Sequence, residues 1–257
     1  MFATIKRPIN AIWSHSHFII GAVRGEFKSR VARSRIGTLW FVLHPLAMAL
    51  IYVMVLSEII GAKLGNVDKS GGYAIFLLSG MTAWNLFAEI VNRCIGIFIE
   101  YSATLKKINF PKLCLPMIIS LGALINQFLL IVSVALIIAF YGYYPSFNWL
   151  LLLPVAAIII LMALGIGILL GVINVFARDV GQVMIVVMSV WFWLTPIVYT
   201  LDMVPGAVQP LIKFNPMEPL TAAYQDVILY EKIPDFSTFL YPITIGIGIF
   251  LLSYFVF

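Results

Sequence analysis

Charged residues are scarce in this chain of 257 residues. Asp, Glu, Lys and Arg together make up 11% of it, whereas ordinary globular domains carry about 25%. Hydrophobic residues make up 62%, more than the interior of a soluble domain of this length can hold. The same figures exclude a disordered chain, which combines low hydrophobicity with high net charge. The composition therefore predicts an integral membrane protein.

Residues with metal-binding or catalytic chemistry are also few. The two cysteines, Cys94 and Cys114, are too few for a disulfide scaffold and match no metal-ligand spacing, and there are only three histidines. The sequence has no GxxxxGK[ST] phosphate loop and no Ser-His-Asp or paired-carboxylate pattern. We therefore expect no enzyme activity, no metal and no bound cofactor, and any energy-driven step would need an ion gradient or a partner.

The apolar residues gather into runs long enough to cross a bilayer, which takes about 20 residues. They predict an all-α membrane protein with six transmembrane helices, in a transmembrane domain of residues 37–257 that follows an N-terminal region of residues 1–36. The expected spans are 39–61, 73–98, 115–141, 149–175, 183–201 and 239–257.

The cations favour one side of such a bundle. Of the 16 Lys and Arg residues, four fall in the loops of one side (Lys63, Lys69, Lys213 and Lys232), and the other twelve fall on the opposite side. Because basic loops stay in the cytoplasm, both termini are predicted to be cytoplasmic. The net charge of +5 then reflects topology and anionic lipid, and we expect no nucleic-acid partner.

The segment before the first span has the pattern of an amphipathic helix in the membrane plane. Ile20, Val23, Phe27 and Val31 recur on one helical face, and cations occupy the rest of its surface. These cations either anchor the helix at the headgroups or also bind a lipid-linked phosphate, which forked guanidinium groups suit. The candidates are Arg24, Lys28, Arg30, Arg33 and Arg35.

The second span carries a polar stripe. Asn85, Glu89 and Asn92 share a narrow helical sector with Thr82 and Gly96, and Arg93 follows Glu89 by one turn. Charged side chains in a membrane face protein or water rather than lipid. The stripe indicates either polar contacts that hold helices together or the wall of a translocation path lined by Asn85, Glu89 and Arg93.

Aromatic residues are frequent where such a path would run. Phe41, His44 and Tyr52 share a face of the first span, and Trp191, Trp193 and Tyr199 lie on the fifth. Aromatic residues near span ends usually form an interfacial belt. Flat rings can also stack on sugars, so these six residues are candidates for a channel lining.

The connection from Asp202 to Asp235 is too long to be structureless in a compact protein. Its run Leu220–Tyr230 predicts a short helix that cannot span the membrane. We interpret it as an outer gate that includes Asn215, Pro216, Glu218 and Tyr224. On span four, Ala163, Gly167 and Gly171 recur every four residues, as in closely packed membrane helices.

Four stretches in register resemble a known family. They are 33–45 (RSRIGTLWFVLHP), 76–84 (FLLSGMTAW) continuing to 105–111 (LKKINFP), 176–180 (FARDV) leading to 193–199 (WLTPIVY), and 214–219 (FNPMEP) with 223–226 (AYQD). Together they resemble the ABC-2 permeases that export polysaccharide, of the O-antigen (Wzm), capsule (KpsM) and teichoic acid (TarG) kinds, and the Wzm kind most.

The resemblance implies a function and partners. Such a permease pairs with a second copy and with two ATPase subunits, which use ATP and Mg²⁺, and it moves undecaprenyl-pyrophosphate-linked glycan, most often O-antigen. The residues implied to contact the ATPase are Lys106, Lys107, Asn109, Phe110, Pro111, Arg178 and Asp179. Capsule or teichoic acid export, a small-lipid or drug exporter, an ion-coupled transporter and a membrane enzyme on lipid-linked sugar remain the alternatives.

Overall fold

The computed structural model describes residues 15–32, 72–102, 114–140 and 142–256, with residues 39, 43, 47, 51 and 106 as single positions. These residues form eight α-helices and three short 3-10 turns, and no strand occurs among them. The helices are α1 (Ser16–Ala32), α2 (Gly72–Glu100), α3 (Cys114–Phe140), α4 (Leu152–Phe176), α5 (Asp179–Leu194), α6 (Gln209–Lys213), α7 (Glu218–Ile228) and α8 (Leu240–Val256). The all-α prediction is confirmed for this part of the chain.

Four helical segments are long and apolar enough to cross a membrane. They are α2, α3, α4 with the 3-10 turn Phe147–Leu151 before it, and α8 with the turn Phe236–Phe239 before it. They correspond to the predicted spans two, three, four and six. The predicted first span, 39–61, lies outside the described residues apart from four single positions.

The fifth predicted span differs from the helix that forms. Residues 183–201 were expected to be helical, but α5 runs from Asp179 to Leu194 and Thr195 is extended, with φ −101° and ψ 130°. Pro196 explains this end, because a proline disfavours helical geometry at the residue before it and has no N–H to donate. At 1.5 Å per residue, α5 is about 24 Å long, shorter than the ~30 Å hydrocarbon core.

Helix α2 is the centre of the bundle, and α4 packs directly against it. A Cβ added at Gly167 would lie 2.5 Å from Cys94 Cβ, and one at Gly171 would lie 2.5 Å from the Cys94 carbonyl oxygen. On the other side of α4, a Cβ at Gly165 would lie 2.8 Å from the Phe250 backbone nitrogen of α8. Glycines thus let α4 approach both neighbours at backbone distance, as the small-residue pattern predicts.

The segment after α5 folds back over the first half of α2. The Tyr73 hydroxyl donates to the Val198 carbonyl at 3.1 Å, and the Gln225 amide of α7 donates to the Pro196 carbonyl at 3.1 Å. A Cβ at Gly80 would lie 2.8 Å from Gln225 Nε2 and 3.3 Å from Ile197 Cα, so glycine makes this approach possible. Helix α7 starts two residues earlier than predicted, with Pro219 in its first turn, where proline is well accommodated.

Helix α1 packs on the bundle along one side. Ile19 and Val23 are buried, whereas Ile20 is 46% exposed. The buried face continues one turn on to Glu26, which reaches Arg93 of α2 at 2.7 Å. This side of α1 therefore combines buried apolar contacts with an ion pair to α2.

Candidate functional site

A cleft lies between α2 and α5, closed at one end by the last turns of α4. Its volume is about 700 Å³, and no charged side chain is among the described residues that line it. Its polar side chains are Asn85 and Asn92 of α2, Asn174 of α4, and Gln182 and Ser189 of α5. We call this cavity the amide cleft.

Asn174 fixes the end of the cleft where three helices meet. Its Nδ2 donates to the Ile95 carbonyl of α2 at 2.9 Å, and its Oδ1 accepts from the Gly181 backbone N–H of α5 at 3.3 Å. Within the described parts of the chain, the side chains of Asn85, Asn92 and Gln182 make no hydrogen bond. These three amides are therefore available to a ligand.

Aromatic rings line the other end of the cleft. Trp84 and Phe192 belong to this lining. They pack in edge-to-face and tilted contacts with Phe87 and Trp191, which do not line the cleft, and the ring centroids are 5.1–6.5 Å apart. Trp193 joins the edge of this cluster, 5.6 Å from Phe192, and stays 53% exposed. Of the two indoles that line the cleft, Trp193 is therefore more exposed than Trp84, which is 7% exposed.

The predicted channel residues separate in the structure. Asn85 and Trp193 line the amide cleft. The indole N–H of Trp191 donates to Asn215 Oδ1 at 2.8 Å, and the Tyr199 hydroxyl donates to the Trp193 carbonyl at 2.8 Å. Phe41, His44 and Tyr52 lie outside the described residues.

Glu89 and Arg93 point away from the cleft, toward α3 and α1. Arg93 contacts Glu89 at 3.2 Å and Glu26 at 2.7 Å, and Asn126 of α3 donates to Glu89 Oε1 at 2.6 Å. A Cβ at Gly122 would lie 2.9 Å from the Arg93 guanidinium, so glycine leaves room for it. One guanidinium thus balances two carboxylates in a contact that joins α1, α2 and α3.

The predicted phosphate-binding cations are only partly described. Arg24 and Lys28 lie exposed on α1. Arg30 belongs to α1 but its side chain lies outside the described part of the structure, as do Arg33 and Arg35. The arrangement of this cation set therefore stays a prediction.

The predicted ATPase contacts fall at two places. Lys106 is exposed, and Lys107, Asn109, Phe110 and Pro111 lie outside the described residues. Arg178 and Asp179 are exposed at the turn between α4 and α5. Asp179 lies in the first turn of α5, where a carboxylate interacts favourably with the helix dipole.

The predicted outer gate is a hydrogen-bonded unit centred on Asn215. Its Oδ1 accepts from Trp191 Nε1 at 2.8 Å and from the Met217 backbone N–H at 3.0 Å, and its Nδ2 donates to Thr195 Oγ1 at 2.8 Å and to the Leu194 carbonyl at 3.2 Å. All the hydrogen-bonding groups of this amide are therefore satisfied. Asn215 ties the end of α5 to the start of α7.

The other predicted gate residues follow Asn215 closely. Pro216 precedes α7, and Tyr224 of α7 is fully buried, with its hydroxyl accepting from Gln127 Nε2 of α3 at 3.3 Å. Burial raises the pKa of the Glu218 carboxyl, and the positive charge of Lys213 opposes that shift. The segment is thus well fastened to α2, α3 and α5.

Several cleft residues were not singled out from the sequence. Gln182 and Ser189 are two turns apart on α5 and share one face. They are polar residues in an otherwise apolar helix, which is the signal that could have found them. Glu26 was also missed, although it is the only acidic residue among the first 57.

The fold and the cleft together define a helical membrane protein with a polar, aromatic cavity between its helices. Comparison with known families makes this specific: the model of the ABC-2 type transporter family matches residues 19–229. This chain belongs to that family.

Characterised relatives are similar over most of their length. An O-antigen export system permease protein RfbA from Klebsiella pneumoniae is 28% identical over 207 residues, 79% of this chain and 77% of the relative. A protein of the same name from Myxococcus xanthus is 26% identical over 232 residues, 89% and 86% of the two chains. The polysialic acid transport protein KpsM of Escherichia coli is 23% identical over 195 residues, 75% and 73%.

Proposed function

We propose that this chain is the transmembrane permease subunit of an ATP-driven exporter. It moves undecaprenyl-pyrophosphate-linked polysaccharide, O-antigen in the first place, across the bacterial cytoplasmic membrane. The observation that carries the proposal is the amide cleft, with its uncharged hydrogen-bonding groups and its open indole. The relatives named as O-antigen export permeases support the same substrate class.

The chemistry of the cleft suits a sugar chain that must slide. A sugar hydroxyl both donates and accepts hydrogen bonds, and so do the amides of Asn85, Asn92 and Gln182. The apolar face of a sugar ring can lie against an indole such as that of Trp193. Each contact is weak on its own, because it replaces a hydrogen bond to water. The sugar chain can therefore exchange one set of contacts for the next.

The complete conduit in this proposal has six spans in each of two copies. The predicted first span, 39–61, would supply Phe41, His44 and Tyr52 to the same wall. The outer segment with Asn215, Pro216, Glu218 and Tyr224 would close the conduit on the outer side. ATP and Mg²⁺ would be used by two ATPase subunits, since this sequence has no phosphate loop of its own.

Two exposed sites are suited to receive the ATPase subunits. Lys106 belongs to the basic loop between α2 and α3, with Lys107, Asn109, Phe110 and Pro111, and the Arg178–Asp179 turn joins α4 to α5. Asn174 lies one turn before Arg178 and reaches both α2 and α5. A displacement of this turn by the ATPase would therefore act directly on the cleft.

The cations of α1 would receive the lipid-linked pyrophosphate. Arg24 and Lys28 are exposed, and Arg30, Arg33 and Arg35 follow in the sequence. A helix in the membrane plane places such groups at the depth of lipid phosphates. The lipid would thus be held at the headgroups while the glycan enters between the helices.

Co-production of this chain with its cognate ATPase, in a host that lacks its own permease, tests the proposal. We expect a stable complex and restored surface glycan. The double variant Lys106→Glu, Arg178→Glu should weaken the complex, whereas Lys213→Glu, at an exposed lysine on the opposite predicted side, should not. An assembled, ATP-hydrolysing complex that restores no surface glycan would contradict the proposed function.

A further inference from the structure

The distribution of cations across the predicted spans is extreme. Arg93 is the only Lys or Arg in the six stretches 39–61, 73–98, 115–141, 149–175, 183–201 and 239–257. The first span, although outside the described residues, can thus bring no Lys or Arg to a conduit wall. Any positive charge within the membrane part of the conduit has to come from Arg93.

Arg93 is not available to a substrate in the cleft. Its guanidinium lies 2.7 Å from Glu26 and 3.2 Å from Glu89, on the side of α2 that faces α1 and α3. A guanidinium that already contacts two carboxylates offers no net attraction to an anion in the cleft.

An anionic polymer that passes such a wall would lose hydration free energy without compensation. A carboxylate or phosphate that leaves water loses hydration free energy, and it recovers this loss only when a cation or several donors replace the water. The described lining offers amides and aromatic rings but no cation. A polymer with one charge in each repeat would meet this cost at every step of its passage.

A neutral sugar chain meets no such cost. Its hydroxyl groups exchange water for the amides of Asn85, Asn92 and Gln182, and its apolar ring faces meet Trp193 and Phe192. We infer that this permease is selective for uncharged glycans and disfavours polymers with a carboxylate or phosphate in each repeat. This inference rests on the proposed glycan export and specifies its substrate class.

Two host strains, each without its own permease, provide the test. One makes a lipid-linked mannose homopolymer, which is neutral, and the other makes polysialic acid, which carries one carboxylate per sugar. This chain and its cognate ATPase are produced in both, and surface polymer is measured relative to the host's own exporter. We expect the neutral polymer to be exported at least about tenfold better.

Variants at Gln182 provide the matched comparison inside the cleft. Gln182→Arg adds a cation to the lining and should raise export of polysialic acid relative to the neutral polymer. Gln182→Glu, at the same position, should lower that ratio. If a variant fails to reach the membrane, the ratio of the unaltered chain decides.

The outcomes separate the two proposals. Export of the mannose polymer alone, or with the expected preference, supports the selectivity. Equal export, or a preference for polysialic acid, overturns the selectivity and leaves glycan export standing. Export of neither polymer by an assembled complex overturns glycan export itself and the selectivity with it.

Discussion

The Glu26 carboxylate of α1 lies 2.7 Å from the Arg93 guanidinium of α2. This contact joins the helix before the membrane bundle to the centre of the bundle. Arg93 also forms an ion pair with Glu89 at 3.2 Å. The charge of Arg93 therefore stays compensated when Glu26 moves away. The contact with Glu26 can therefore open without leaving Arg93 unpaired.

Removal of the two partners should have unequal effects. Glu26→Gln leaves Arg93 paired with Glu89, and we expect a loss of about 1 kcal/mol of stability. Arg93→Met removes the cation that contacts both Glu26 and Glu89, and we expect a loss of about 3 kcal/mol, the lower end of the range for a broken buried pair. Thermal unfolding of the detergent-solubilised permease measures both. The matched control is Glu100→Gln, because Glu100 is exposed and in no ion pair among the described residues. Equal losses for the two variants would show that Arg93 is not shared.

The glycine contacts of α4 give a prediction about packing. Gly171→Ala places a Cβ 2.5 Å from the Cys94 carbonyl oxygen, a backbone atom that cannot turn aside. We expect a loss of about 1–3 kcal/mol from overpacking. Gly248→Ala in α8 is the control, because nothing lies within 4 Å of its added Cβ. Unfolding in detergent compares the two, and a Gly171→Ala protein as stable as the control would contradict the close approach of α2 and α4.

The sequence predicted the long helices well because hydrophobic length alone decides them. The predicted ends of spans two, three and six agree with α2, α3 and α8 within two residues. Span five did not follow this rule: its apolar run continues past Leu194, but Pro196 ends the helix there. Local backbone chemistry outweighed hydrophobicity at that point.

The polar stripe of α2 shows what periodicity cannot decide. At 100° per residue, Asn85, Glu89, Asn92 and Arg93 fall within about 100° of one another, so the sequence placed them on one wall. In the structure, different neighbours contact the two edges of this sector. Asn85 and Asn92 line the cleft, whereas Glu89 and Arg93 contact α1 and α3. The division depends on long-range partners such as Glu26, which no local pattern reveals.

Asn215 should hold the outer segment on α5. Asn215→Ala removes four hydrogen bonds and leaves the Trp191 indole N–H and the Met217 N–H without their acceptor. A buried donor that loses its partner costs about 1–3 kcal/mol, so the segment around α6 and the start of α7 should open more often. Hydrogen–deuterium exchange over residues 209–220 should rise at least tenfold, since about 1.4 kcal/mol corresponds to that factor.

Asn148→Ala is the control for that experiment. Asn148 makes one exposed hydrogen bond, from its Nδ2 to the Glu231 carbonyl at 2.9 Å, so exchange at residues 209–220 should stay unchanged. If Asn215→Ala also leaves this exchange unchanged, Asn215 does not fasten the segment.

Trp191 and Trp193, two residues apart on α5, should differ in what their loss affects. Both were predicted from the sequence to line a channel. Trp193 is 53% exposed in the cleft, so Trp193→Ala should leave unfolding nearly unchanged and slow export severalfold while ATP hydrolysis continues.

Trp191 packs 5.1 Å from Phe87 and donates to Asn215, so Trp191→Ala should cost about 3 kcal/mol of stability, as for other large-to-small changes in a packed core. Thermal unfolding and surface glycan, measured on both variants beside Phe128→Ala at an exposed ring of α3, separate the two roles. Export at the normal rate by a stable Trp193→Ala permease would exclude stacking on this indole as part of transport.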